Sequence, residues 1–144
     1  MIDITQKEVT FRIAEAEGKI HLKHNTIQRI KEKAVEKGNV CTTSKITGIE
    51  AVKEVPSLLP LCHPIPLSGI DIDIEIKEES VVVKSKVKSL GKTGCEMEAL
   101  TGVVLSLLNI WDMVKRYEKD QDGQYPWTKI EGVKVTKKVK QKID

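Results

Sequence analysis

Apolar residues recur along this chain with two periods, and the switches between them mark out strands and helices. From Gly69 the chain reads GIDIDIEIKE, with Ile70, Ile72, Ile74 and Ile76 on one face and Asp71, Asp73 and Glu75 on the other. Period two over this length specifies a half-buried strand. After a turn at Glu79-Ser80 the pattern resumes through Val81, Val83 and Val87, with Lys84, Lys86 and Lys88 opposite. The two runs predict an antiparallel hairpin whose acidic and basic polar faces attract each other across the strands. Upstream, Thr10, Phe11, Ile13, Ile20 and Leu22 favour extended backbone, as one strand or as a hairpin bent at Glu17-Gly18.

Helical spacing appears in three places. Ile27, Ile30, Ala34 and Val35 share one face, with Asn25-Thr26 as N-cap and Gly38 where a C-terminal cap belongs. Ile46, Ile49 and Val52 predict a second helix over 40–54, ended by Pro56, with Gly48 either weakening it or marking close helix packing. The longest apolar stretch runs from Cys95 to Glu118. At about 100° per residue, Met97, Leu100, Val104, Leu107, Leu108, Trp111 and Val114 gather on one side, with Glu98, Asp112 and Lys115 on another. Val103, Leu105 and Ile110 need cover as well, so the apolar arc is wider than a lone surface helix requires. Beyond Lys119, DQDGQYPWTK reads as a loop. Ile130, Val133 and Val135 suggest a short strand or hairpin before a basic tail at about 137–144.

Composition narrows the class. A chain of 144 residues is expected to be one domain, residues 1–144. Aromatics are 3%, so its core is expected to rest on Val, Ile and Leu. No run approaches about 18 consecutive apolar residues, and the N-terminus lacks a basic start followed by an apolar block. Neither a membrane span nor a signal peptide is expected. Cys41, Cys62 and Cys95 are odd in number and lack CxxC spacing, which points to a reducing, cytoplasmic setting. The net charge of +3 is too small to imply nucleic-acid binding by itself. The Lys84/Lys86/Lys88 run and the basic tail keep a small nucleic-acid-binding domain as the alternative, although aromatics for base stacking are missing.

Candidate chemistry sits between these elements. PSLLPLCHPIPLSG carries four prolines, Pro56, Pro60, Pro64 and Pro66, which exclude helix and interior strand. A rigid, buried, extended loop is the expectation, with His63 pinned by Pro64. His63 reads either as a structural histidine or as a catalytic or substrate-binding one. A metal is disfavoured, because no second ligand pair stands at suitable spacing and His21 and His24 have no cysteine nearby. Gly91-Lys92-Thr93 imitates the end of a phosphate-binding loop, but Lys86 stands where that motif needs its first glycine. A strand running into this loop and a helix N-terminus is either an anion cradle or a plain turn. Arg12, one of three arginines, suits a forked contact or a surface ion pair. Lys37 suits a helix C-terminus, and Asp112 and Lys115, three apart, can pair.

Helix length adds a constraint. Glu98 and Asp112 lie about 21 Å apart along a straight helix, too far to touch one small substrate from one chain. If both serve one reaction, Asp112 of one subunit faces the helix entrance of another, in an oligomer with its site between subunits.

LCHPIPL, GKTGCEMEALTGV and WDMVK, in this order and spacing, closely resemble the cyclic pyranopterin monophosphate synthase family, protein C of molybdenum cofactor biosynthesis. The resemblance covers about Ile2 to Lys138. It implies an α+β, ferredoxin-like subunit in a homo-hexamer, a trimer of dimers with active sites at dimer interfaces. It implies a lyase acting on a cyclised dihydro-GTP with release of diphosphate, with no cofactor; whether Mg²⁺ accompanies the triphosphate is not legible in the sequence. Carried over by position, Asp112 and Lys115 match the catalytic pair. Leu61, Cys62 and His63 match a substrate-binding triplet, His63 also being a catalytic candidate. Glu96 and Met97 match a binding pair completed by Glu98. Arg12 and Lys37 match phosphate-contacting cations, Lys37 with a catalytic part. The C-terminus departs from the family pattern; Lys138 is the best match for a mobile lysine and Lys137 the next. A lysine among other cations is expected to have a lowered pKa. Nucleic acid and membrane are not expected partners.

Overall fold

A computed structural model describes all residues, 1–144. The elements in chain order are β1 (Thr10–His21), α1 (His24–Lys31), α2 (Val40–Lys53), α3 (Val55–Leu58), β2 (Leu67–Ile76), β3 (Ser80–Gly91), α4 (Glu96–Glu118) and β4 (Lys129–Lys142). The strands form one antiparallel sheet in the order β2-β3-β1-β4. This is the ferredoxin-like βαββαβ arrangement of an α+β fold, as expected. The helices cover one face of the sheet, and the other face stays open.

The β2–β3 hairpin forms as the alternation predicts, with Ile72, Val81, Val83 and Val87 in the core. β1 resolves the first alternative as one continuous strand. Gly18 lies within it because α4 packs directly overhead: a Cβ there would press on Val103 and Leu107. Opposite, Gly132 at φ +67 occupies a bulge between β1 and β4, where a left-handed residue favours glycine.

Several expectations are corrected. The basic tail is not a tail: residues 129–142 form β4, a full edge strand on β1. Two register shifts against β1 break its alternation, which the lysines further obscure. α1 ends at Lys31, so Ala34 and Val35 lie past it and Gly38 serves the turn into α2. Asn25 is not its cap: Lys23 holds that position without a side-chain cap, and its N–H donates to the Glu118 carboxylate. Pro56 is tolerated in the first turn of the short α3, where a missing N–H costs nothing. The segment after it is exposed rather than buried, with Leu61 72% accessible.

α4 is the central core helix. It has the length and hydropathy to cross a membrane, but half of its apolar window is buried inside the fold. Its core face is not the one expected. Ala99, Gly102, Val103, Ser106, Leu107, Ile110 and Val114 face the sheet and α2, while Met97, Val104 and Leu108 are exposed. The reason is space. At the α2–α4 crossing, a Cβ on Gly48 would strike Ser106 Oγ, and one on Gly102 would come within 2.8 Å of Val52. Ser106 Oγ donates to Ser44 O at 3.0 Å across this seam. Small residues therefore take the seam with α2, while Val103, Leu107, Ile110 and Val114 fill the rest of the core face.

Candidate active site at the two ends of the central helix

Two polar clusters lie at opposite ends of α4. At its C-terminal end, the Asp112 carboxylate receives two lysines. Lys37 Nζ donates to Oδ2 at 2.8 Å and to the Asp112 carbonyl at 3.1 Å, and Lys115 Nζ donates to Oδ1 at 2.9 Å. Lys37 comes from the loop after α1; Lys115 is one turn along α4. The hydrogen bond from Lys37, then that from Lys115, holds the Asp112 carboxyl below the usual carboxylate range. Asp112 in turn raises Lys115. The expected lowering of a lysine pKa is thus corrected for Lys115: the hydrogen bond and charge of Asp112 outweigh desolvation. Leu108, Trp111 and Tyr125 join Asp112 and Lys115 around an open concavity of ≈ 530 Å³. Trp111 and Tyr125 meet edge to face at 5.2 Å.

The N-terminal end gathers Arg12, Glu96, Glu98, Cys95 and Lys138. Register places Arg12 opposite Ser89 and Lys140, and Ala14 opposite Lys138, all on the helix-facing side of the sheet. Lys138 Nζ lies 2.5 Å from Glu96 Oε1. Lys137 pairs with Glu15 on the open face instead, so Lys138 is the one that reaches this cluster. Burial works to raise the Glu96 carboxyl, but the Lys138 hydrogen bond and the charges of Lys138 and Arg12 bring it below its ordinary value. Glu98 is 2% exposed, and burial, with Glu96 nearby, pushes its carboxyl up. Thr10 Oγ1, Arg12 Nε, Ser89 Oγ and Glu98 Oε2 are buried without a hydrogen-bond partner. Buried polar atoms are rarely left so; four at one helix end mark a place built to meet another group.

The LCH segment lies beside this end. Burial, then the Glu98 charge, raises the Cys62 thiol. His63 is half-buried, and its Nε2 lies 2.7 Å from the Ile2 carbonyl. A carbonyl only accepts, so Nε2 carries the proton and Nδ1 is left as an acceptor. Lys92 Nζ donates to the Thr5 carbonyl at 2.7 Å, so the N-terminal segment straps both side chains. Leu61 and Met97 project outward, 72% and 43% exposed.

One subunit thus brings together Lys37, Asp112 and Lys115 at one end, and Arg12, Glu96, Glu98 and Lys138 at the other. The two groups do not meet. Glu98 and Asp112 are separated by about 21 Å of helix. Thr10, Ser89 and Tyr125 also line these ends, and sequence reasoning did not single them out. Strand alternation could have found Ser89, two residues after the core Val87; Tyr125 carries no local signal.

The sequence model of the MoaC family matches residues 1–141. The chain belongs to the MoaC family. Among its curated relatives, a protein of Saccharolobus solfataricus named probable cyclic pyranopterin monophosphate synthase is 57% identical, over 99% of this chain and 95% of its own length. A Pyrococcus abyssi protein of the same name is 54% identical, over 97% of this chain and 88% of its own. Membership agrees with the resemblance read from the three motifs, which fall in the segment before β2, at the start of α4 and near its end.

Proposed function

We propose that this chain converts a cyclised dihydro-GTP to cyclic pyranopterin monophosphate with release of diphosphate, a lyase step of molybdenum cofactor biosynthesis. The carrying observation is the Lys37–Asp112–Lys115 cluster, whose Asp112 and Lys115 line an aromatic-walled concavity, in a chain whose relatives bear that enzyme's name.

Two lysines on one carboxylate leave a net positive site, suited to a polyanion. Closing the cyclic phosphate requires a substrate hydroxyl oxygen to attack the α-phosphorus while the bond to the β-phosphate breaks. The diphosphate carries away the charge, which Lys37 and Lys115 meet, with Arg12 and Lys138 from the other end. Lys115, held protonated by Asp112, acts as cation and proton donor; Asp112 is the acceptor. Glu98, with its raised carboxyl, and His63, with Nδ1 free, supply further transfers during the purine rearrangement. Leu61, Cys62, Glu96 and Met97 line the substrate.

The two clusters serve one reaction only if a second subunit brings its far end to the first subunit's entrance. We therefore propose a homo-hexamer, a trimer of dimers, with sites at the dimer interfaces. The outward stripe of Met97, Val104 and Leu108 supports an interface along α4. A cytoplasmic setting fits the free cysteines. The chain needs no cofactor of its own in this reading, and any Mg²⁺ enters on the triphosphate. The nucleic-acid reading is disfavoured because the basic strand lies between acidic ones: Lys86 Nζ is 3.4 Å from Glu15, and register sets Asp71 against Lys86 and Asp73 against Lys84.

The test supplies cyclised dihydro-GTP and follows diphosphate release. Asp112→Ala and Lys115→Ala are expected to lose turnover with the assembly intact; normal turnover in both overturns the roles given to them.

A further inference from the structure

The loop that presents Lys37 is short, exposed and outside any helix or strand. Its own fixings are few. Val35 plugs into the core, Ala34 N donates to Arg29 O at 2.8 Å, and Gly38 N donates to Val35 O at 3.0 Å. None of these holds Glu36, the residue before Lys37. That contact comes from the end of α4. The backbone N–H of Glu36 donates to the Tyr117 hydroxyl at 2.9 Å, and Arg116 pairs with the Glu36 carboxylate. From the other side, the Arg29 guanidinium of α1 lies over the Tyr117 ring, 4.6 Å from its centre. Tyr117 is thus clasped between α1 and the residue before Lys37. It stands on the same helix as Asp112, the partner that Lys37 reaches.

We propose that Tyr117 is a positioning residue: its hydroxyl fixes the Glu36 backbone so that Lys37 Nζ meets Asp112. A flexible lysine on an untethered loop would share its time between Asp112 and solvent. With the loop tied to α4, the Lys37–Asp112 distance is set within one rigid element. The inference rests on the reading of Lys37 as part of the reacting cluster, and its test separates the two.

Tyr117→Phe removes only the hydroxyl and keeps the ring under Arg29. The loss of one neutral hydrogen bond predicts a kcat/KM about three- to ten-fold lower. In a Lys37→Ala background the same change is expected to cost almost nothing, because the group it positions is gone. A second readout does not depend on turnover. Trace acetylation of the whole protein, read by mass spectrometry, compares Lys37 with the exposed Lys53. Tyr117→Phe is expected to raise the relative labelling of Lys37 several-fold while thermal stability hardly changes. Equal losses in both backgrounds, or unchanged labelling of Lys37, would overturn the proposal. Increased labelling together with full activity of Lys37→Ala would leave Tyr117 as the tether and overturn the catalytic reading of Lys37.

Discussion

Glu118→Ala should cost the subunit about 4 kcal/mol of stability. Glu118 ends α4, is 0% exposed, and has no cation beside it. Its carboxylate accepts from Thr128 Oγ1 at 2.7 Å, from Thr26 Oγ1, and from Lys23 N, 3.2 Å from each oxygen. It therefore joins three elements: the start of α1, the end of α4 and the approach to β4. Hydrogen bonds to a charged acceptor are worth about 1.5–3 kcal/mol each, so three donors bracket about 4–9 kcal/mol. The two hydroxyls can turn to other acceptors, which favours the low end. The Lys23 N–H cannot, and α1 has no other side-chain cap, so about 1 kcal/mol of the loss is capping. Glu118→Gln keeps an acceptor oxygen and should lose roughly half as much. The assay is guanidinium denaturation followed by far-ultraviolet circular dichroism, at one protein concentration because assembly is linked to stability. An alanine variant within about 1 kcal/mol of the parent, or a glutamine variant worse than alanine, would refute the reasoning.

Three further outcomes follow from the geometry. Gly48→Ala places a Cβ against Ser106 Oγ and 3.0 Å from the Gly102 carbonyl, so it should separate α2 from α4 and cost about 1–3 kcal/mol in the same denaturation assay. Glu98→Gln should stabilise the protein at neutral pH. Burial raises the folded carboxyl, so the parent loses stability as pH rises from the unfolded value through the folded one, and the variant's advantage should vanish below about pH 4; an advantage that persists in acid would contradict this. Asp112 should titrate below ordinary aspartates by carboxyl NMR, because Lys37 and then Lys115 hold it down. Its contribution to stability is present above the unfolded value and lost as pH falls through the folded one. Lys37→Ala should move the midpoint upward, and an unmoved midpoint would contradict the contact.

The hairpin of β2 and β3 was legible because alternation in a one-sided sheet is strict: shifting it by one residue would bury Asp71 and Asp73. Gly48 was legible as a close contact for a similar reason, since a mid-helix glycine needs a packing cause. The face of α4 was not. Hydrophobicity ranks Leu108 and Met97 above Gly102 and Ser106, but the seam against α2 admits only small residues, and the large ones are left for another surface. β4 was hidden because this edge strand carries lysine at six of its fourteen positions and its period is broken by bulges, which in sequence looks like a tail. Candidate site residues were named through family motifs: the pairing of Asp112 with Lys115 follows from helical spacing, whereas the arrival of Lys37, 75 positions away in sequence, does not. Glu118 and Tyr117 escaped notice because their partners, Thr26, Thr128 and Glu36, are distant in the chain and no local pattern announces them.

In the proposed assembly the two ends of α4 belong to different sites, each completed by a neighbouring subunit, and mixing subunits of two variants tests this. Asp112→Ala lacks the far end, and Arg12→Ala lacks the entrance. Each variant alone should be nearly inactive on cyclised dihydro-GTP. After the two are mixed in equal amounts and allowed to exchange subunits, about a quarter of the sites should combine two intact ends, and diphosphate release should recover to about that share of the parent rate. Complete exchange, confirmed by native mass spectrometry, with no recovered activity would contradict a site built between subunits.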